Sequence, residues 1–266
     1  MVQNRILGLL LLSNIMISGC YEPQDGCLDP LSENYDVAAD RDCKDCCRYP
    51  KVRFGFKYLY NGSAFRFTDT ITNNLQTQAL LLNQNIYLAE IELIDNEGNN
   101  IALLDSITLN SAGIRIRQAA DFLHIRRNIS QSEISSVRFS GFLHKVSFRV
   151  GLPPLFNGIS LQPSPHPALD ARDNMRDTLG NFFAAKFIMA VGTNLADTIE
   201  VVVRQSEPIV LEPLLKPKSF FAQQLSILIR LDYNRLFENI DLKNDNELQI
   251  ANQIQKNFVK AIIWDE

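Results

Sequence analysis

Five cysteines stand at positions 20, 27, 43, 46 and 47, and none follows. In an exported chain, the even, clustered set Cys27, Cys43, Cys46 and Cys47 reads as two disulfides, for which three pairings exist. A Cys46–Cys47 bond between neighbours is strained, so each is expected to reach back to Cys27 or Cys43. A zinc site is the rival chemistry, because Cys43-Lys-Asp-Cys46 is a CxxC; the lack of a second CxxC counts against it. Among these cysteines lie Asp29, Asp36, Asp40 and Asp42, which could gather oxygens around Ca²⁺. The plainer reading is that each carboxylate caps an Asx turn.

Other metal-binding side chains are sparse. His124, His144 and His166 are the only histidines, and no two are spaced as HxH or HxxxH. Imidazole and thioether suit copper, but here the fold must bring separated ligands together. His144, ahead of a strand, and His166, in a long loop, are the copper candidates; the plainer reading is a surface or hydrogen-bonded histidine. No GxSxG, HExxH or phosphate-cradling glycine loop occurs, and no cysteine after Cys47 offers a nucleophile. The chain reads as a non-enzyme with no catalytic residues.

The elements that carry these residues begin with an address. Arg5 precedes an apolar run over residues 6–12, resumed over 15–17. About twelve apolar residues fall short of the roughly twenty that span a bilayer and fit the core of a secretory signal. The run ends Ile17-Ser18-Gly19-Cys20. Small residues before a cysteine resemble the bacterial lipobox, which implies removal of residues 1–19 and diacylation of Cys20. An incidental cysteine after an ordinary signal peptide is the alternative. Each buried CH₂ of an acyl chain contributes about 0.8 kcal/mol, so two or three chains anchor firmly. An Asp in place of Tyr21 would resemble the inner-membrane retention signal, so the outer membrane is expected. The partners expected are the membrane, through the N-terminal lipid, and an envelope protein.

The composition agrees with a folded body. The chain has 266 residues, 46% hydrophobic and 21% charged, enough for one large domain or two small ones. Its net charge of −4 excludes a generally basic nucleic-acid binder. Residues 20–50 read as a disulfide-stapled stalk and 51–266 as one domain. Val52, Phe54, Phe56, Tyr58 and Tyr60 alternate with Lys51, Arg53, Gly55, Lys57 and Leu59, the pattern of a half-buried strand. Asn61-Gly62 then predicts a tight hairpin turn, with a return strand over 64–68. Further strands are expected over 86–94, 101–104, 137–142, 146–150, 183–191, 198–203 and 225–233. Short strands with turns between them predict an all-β fold, an antiparallel β-sandwich with immunoglobulin-like layering. A C-terminal helix over 246–262 is expected from Ile250, Ile254, Phe258 and Ile262, with Leu248 and Ala251 near that face and Asn244 or Asp245 as cap. Residues 151–181 form a loop with Pro153, Pro154, Pro163, Pro165 and Pro167, far beyond the 12–15 residues usual without structure. It is either functional or an ordered insertion covering a sheet edge.

Two resemblances follow. Residues 26–43 run GCLDPLSENYDVAADRDC and resemble the Cys-bounded module GCxDPxAxNYDPxAxxDDGSC of exported Bacteroidetes proteins. The match lies at Cys27, Asp29, Pro30, Asn34, Tyr35, Asp36, Ala39, Asp42 and Cys43. Residues 80–104, LLLNQNIYLAEIELIDNEGNNIALL, and 146–157, VSFRVGLPPLFN, resemble segments of the MbnP-like family, as does the stretch from Ser164 to Asp170 with Met175. The resemblance covers about residues 51–262 and implies a secreted or periplasmic β-sandwich, with copper bound in some members through His and a Trp oxidised to kynurenine. This chain departs where that chemistry belongs. Asp177 and Leu179 stand where W-x-W is usual, Gly158 where a His often follows the Asn, and the one Trp is Trp264. The expectation is an envelope lipoprotein with an MbnP-like binding or interaction domain whose copper site is lost or altered. The alternatives are a working copper-binding protein and a surface glycan or protein binder.

Overall fold

The structure is a computed structural model. It describes residues 22–265 apart from 44, 112, 128, 171, 173, 205–207, 212–217, 222 and 223. The signal segment and Cys20 lie outside the described residues. Two compact units divide the chain, residues 1–48 and 49–266. Among the described residues no helix is long and apolar enough to cross a membrane.

The first unit is held by Cys27–Cys47 and Cys43–Cys46 disulfides. Strands Asp25–Gly26 and Arg41–Asp42 pair in parallel. A Cβ on Gly26 would stand 2.7 Å from the Ala39 Cβ, so the close approach of these segments requires glycine. Asn34 ties the middle of the unit to its C-terminal end. Its amide donates to the Cys46 carbonyl at 2.8 Å and its side-chain oxygen accepts from the Arg48 amide at 2.7 Å.

In the second unit the elements are β1 (Lys51–Tyr60), β2 (Gln78–Asp95), β3 (Ser106–Ser111), β4 (Ile114–Ala119), β5 (Leu123–Arg126), β6 (Gln131–Ser136), β7 (Ser140–Val150), β8 (Ala185–Val191), β9 (Asp197–Val203), β10 (Pro208–Leu211), β11 (Lys218–Phe221), β12 (Leu225–Asp232), α1 (Tyr233–Leu236), α2 (Glu247–Ala261) and β13 (Ile262–Asp265). The larger sheet runs β9-β8-β2-β7-β10, with β5 also on β2 and β11 also on β7. Every pair in it is antiparallel. The 18-residue β2 is its hub. β8 pairs with its first half, β7 with its second and β5 with its middle.

The smaller sheet runs β6-β1-β12-β13. Here one antiparallel expectation fails: β12 lies parallel to β1, Leu225 opposite Val52 through Asp232 opposite Leu59. Parallel neighbours need a crossover, and nearly the whole domain supplies it. One apolar cluster joins the two sheets, with Phe54, Ile227 and Ile229 from one and Leu81, Phe148 and Phe187 from the other. The body is an all-β sandwich with a C-terminal helix.

Local chemistry explains the details. Asn61 and Gly62 both take positive φ, 49° and 76°, as a two-residue hairpin turn of this hand requires. The return strand is only Ser63–Ala64, because Phe65 and Phe67 turn into the core against Tyr58 and Tyr233. Helix α2 starts one residue later than expected, and its cap is Asn246, not Asn244 or Asp245, in a reciprocal capping box with Gln249. Ile250, Ala251, Ile254 and Phe258 are buried, but Leu248 faces solvent. Ile262 leaves the helix to begin β13.

Candidate functional site

The Pro-rich insertion between β7 and β8 covers a sheet face. It packs Leu152, Phe156, Ile159, Leu169 and Met175 into a second apolar cluster with Tyr87, Ala89 and Phe122 from the outer side of the larger sheet. The Tyr87 hydroxyl donates to the Ala168 carbonyl at 3.0 Å and fixes the insertion over the sheet. Pro167, Ala168 and Leu169 form a short 3₁₀ turn whose N-cap is His166; its Nδ1 accepts from the Ala168 amide at 3.2 Å.

Register places polar groups beside this apolar patch. Asn85 on β2 lies opposite Arg126 on β5 and, across its other edge, opposite Lys186 on β8. Directly paired residues share a face, so Lys186, Asn85 and Arg126 form a row across three strands. Two residues along β2, Tyr87 and His124 form the next row, their rings stacked 4.4 Å apart. The insertion covers the Tyr87 row and reaches the polar one, where Lys186 donates to the Asn174 carbonyl at 3.5 Å.

Two adjoining clefts open there. One, of 690 Å³, is lined by Arg126, Ser164, His166, Pro167, Asp170 and Arg172. The other, of 490 Å³, shares Arg126 and Arg172 and adds Asn83, Asn85 and Arg127. The cations are held in place. Arg126 donates to the Pro167 carbonyl at 3.1 Å. Arg127 donates to the carbonyls of Leu82 at 2.5 Å and Phe67 at 3.1 Å, with its guanidinium over the Phe67 ring. Arg172 bonds both oxygens of Asp170, and chiefly for that reason the Asp170 carboxyl is pulled down to about 2. Burial first, then the Lys51 cation, hold the His166 imidazole below its ordinary range, so it is neutral at pH 7. Asn85 lines the second cleft and is 5% exposed.

The copper candidates His144 and His166 do not meet. His144 is exposed at a bulge of β7 beside Ile94 and Asp95 of β2. His166 packs on Phe122, 4.9 Å between rings, and the Asp121 carbonyl beside Phe122 accepts from Ile91 of β2. Several residues of strand at about 3.3 Å each separate the two places, whereas two copper-bound nitrogens must both lie within about 2 Å of the metal. His124 is buried and stacked on Tyr87. The aspartates of the first unit do not converge either. Asp29, Asp36, Asp40 and Asp42 accept from the amides of Leu31, Ala38, Gln24 and Leu28 respectively, each in its own turn or strand end. Among the described residues, the one group of three His, Cys, Asp or Glu ligand atoms close enough for a metal is Cys43, Cys46 and Cys47, whose sulfurs are in disulfides. Where the resemblance would place W-x-W, Asp177 accepts from the amides of Leu179 and Asn181 at 2.9 Å and makes a tight turn with Leu179 at its tip.

No family model matches the chain, and no curated protein matches it. Among solved structures the chain is similar to MbnP from Methylosinus trichosporium, with 13% identity, 77% of this chain and 87% of that chain covered, and a TM-score of 0.48. A likeness at this level says nothing of what this chain binds.

Proposed function

We propose that this chain is a non-catalytic binding protein of the cell envelope. In this reading Cys20 carries the lipid, the stapled first unit spaces the sandwich from the membrane, and the Pro-rich insertion frames the binding cleft. The observation that carries the binding role is the pairing of Asn85 with Arg126, which line the clefts at the edge of the insertion's apolar patch. A loop that served only to cover the sheet would have apolar residues there, since buried polar groups are costly. Among the described residues the cleft linings contain no Trp, Tyr or Phe, which disfavours the aromatic stacking that neutral glycans use. The anchor rests on the sequence Ile17-Ser18-Gly19-Cys20.

Expression of the full chain with radiolabelled palmitate tests the anchor. Labelled protein in the outer-membrane fraction, lost in Cys20→Ala, is the expected result. Unlabelled wild-type protein released to the soluble fraction overturns it.

A further inference from the structure

We propose that the paired clefts beside the Pro-rich insertion bind an oxyanion, a carboxylate or a phosphoryl group, with Asn85 at the floor and Arg126 and Arg172 at the sides. This rests on the reading of the insertion's cleft as a binding site and names its ligand class. The chain as a whole is acidic, yet the described lining of the two clefts has three guanidinium groups against one carboxylate, Asp170. Lys186 extends the row on the far side of Asn85, 6% exposed and paired with Glu200 at 2.9 Å.

The geometry suits an anion. Guanidinium groups present paired N–H donors that match two oxygens of a carboxylate or phosphate. Arg126 is held by the Pro167 carbonyl and Arg127 by two carbonyls, so little side-chain freedom remains to be lost on binding. Arg172 has the opposite character: its side chain is 90% exposed and its anion is Asp170, close to it in the loop. A ligand oxyanion would compete with Asp170 for that guanidinium. The Asn85 amide adds a neutral donor at the buried end, where a second anion or an apolar group would be unfavourable.

The test is calorimetric titration of the full chain in detergent, at low salt and pH 7, with inorganic phosphate and with glucuronate as separate probes and glucose as the neutral control. Saturable binding of phosphate or glucuronate, abolished by about 1 M NaCl and weakened about tenfold or more in Arg126→Gln and Asn85→Asp, is expected. Phosphate alone would identify a phosphoryl ligand and glucuronate alone a carboxylate. Arg172→Gln, at an exposed position, should weaken binding without affecting the melt, and so covers the case in which Asn85→Asp fails to fold. Neither anion binding tighter than about 10 mM, or binding indifferent to Arg126→Gln and Arg172→Gln, overturns the inference. Glucose binding that the same substitutions weaken overturns the oxyanion class but leaves the cleft a binding site. Palmitate labelling, read separately, reports on the anchor alone.

Discussion

Asp170 and His166 stand in the same Pro-rich loop, and their surroundings move them in ways a titration can read. The Asp170 carboxyl sits at about 2, chiefly through the Arg172 side chain and then through the Arg172 amide. Arg172→Gln removes the larger cause and keeps the smaller, so an NMR titration should find the Asp170 carboxyl most of the way back to 3.8. His166 is lowered from 6.5. The unfolded chain therefore takes up its proton first as pH falls. Stability from this residue is complete above 6.5, declines below it, and levels off once the folded imidazole protonates. Asn at this position can still cap the turn at Ala168 but cannot titrate. His166→Asn should leave the denaturant midpoint at pH 7 near wild type and remove that part of the acid-side decline.

At the scale of elements, the Pro-rich insertion has its own small core. Leu169 is fully buried in it, and Leu169→Ala should cost about 2–5 kcal/mol, read from the denaturant midpoint. Hydrogen exchange should show the amides of residues 152–183 losing protection before those of β2 and β8. β1, with one wet face, shows its alternation openly, and β8, β9 and β12 fall close to where their apolar runs predict. The hub β2 is legible only in its second half. Its first half, QALLLNQN, pairs with β8 and shows no clean period of two, so the alternation test has nothing to act on. The β3–β4 hairpin and the parallel register of β12 are not legible, the latter because pairing over such distance leaves no local mark. The cleft is hidden for the same reason: Lys186, Asn85 and Arg126 are neighbours only through register, and nothing in their spacing announces it.

For the whole molecule, the two units differ in what holds them. The first buries little beyond Cys27 and relies on two disulfides. The second has no cysteine and a core that joins two sheets and a helix. Small domains without an adequate core depend on such cross-links. Reduction with dithiothreitol should unfold the first unit, seen as protease cleavage within residues 22–48, while the main melting transition of the sandwich moves by no more than about 2 °C. A single cooperative loss of both units on reduction would contradict this division.

The parallel seam between β1 and β12 also sets an order of events. Its two strands lie about 170 residues apart in the chain, and β1 has no other long partner besides the short β6 among the described strands. A ribosome or an export channel delivers β1 first and β12 near the end, so the earlier strand must wait, unzipped, for almost the entire domain to arrive. Any chain cut short before residue 225 leaves that waiting edge bare, a sticky surface that quality-control proteases and chaperones would meet before any ligand does.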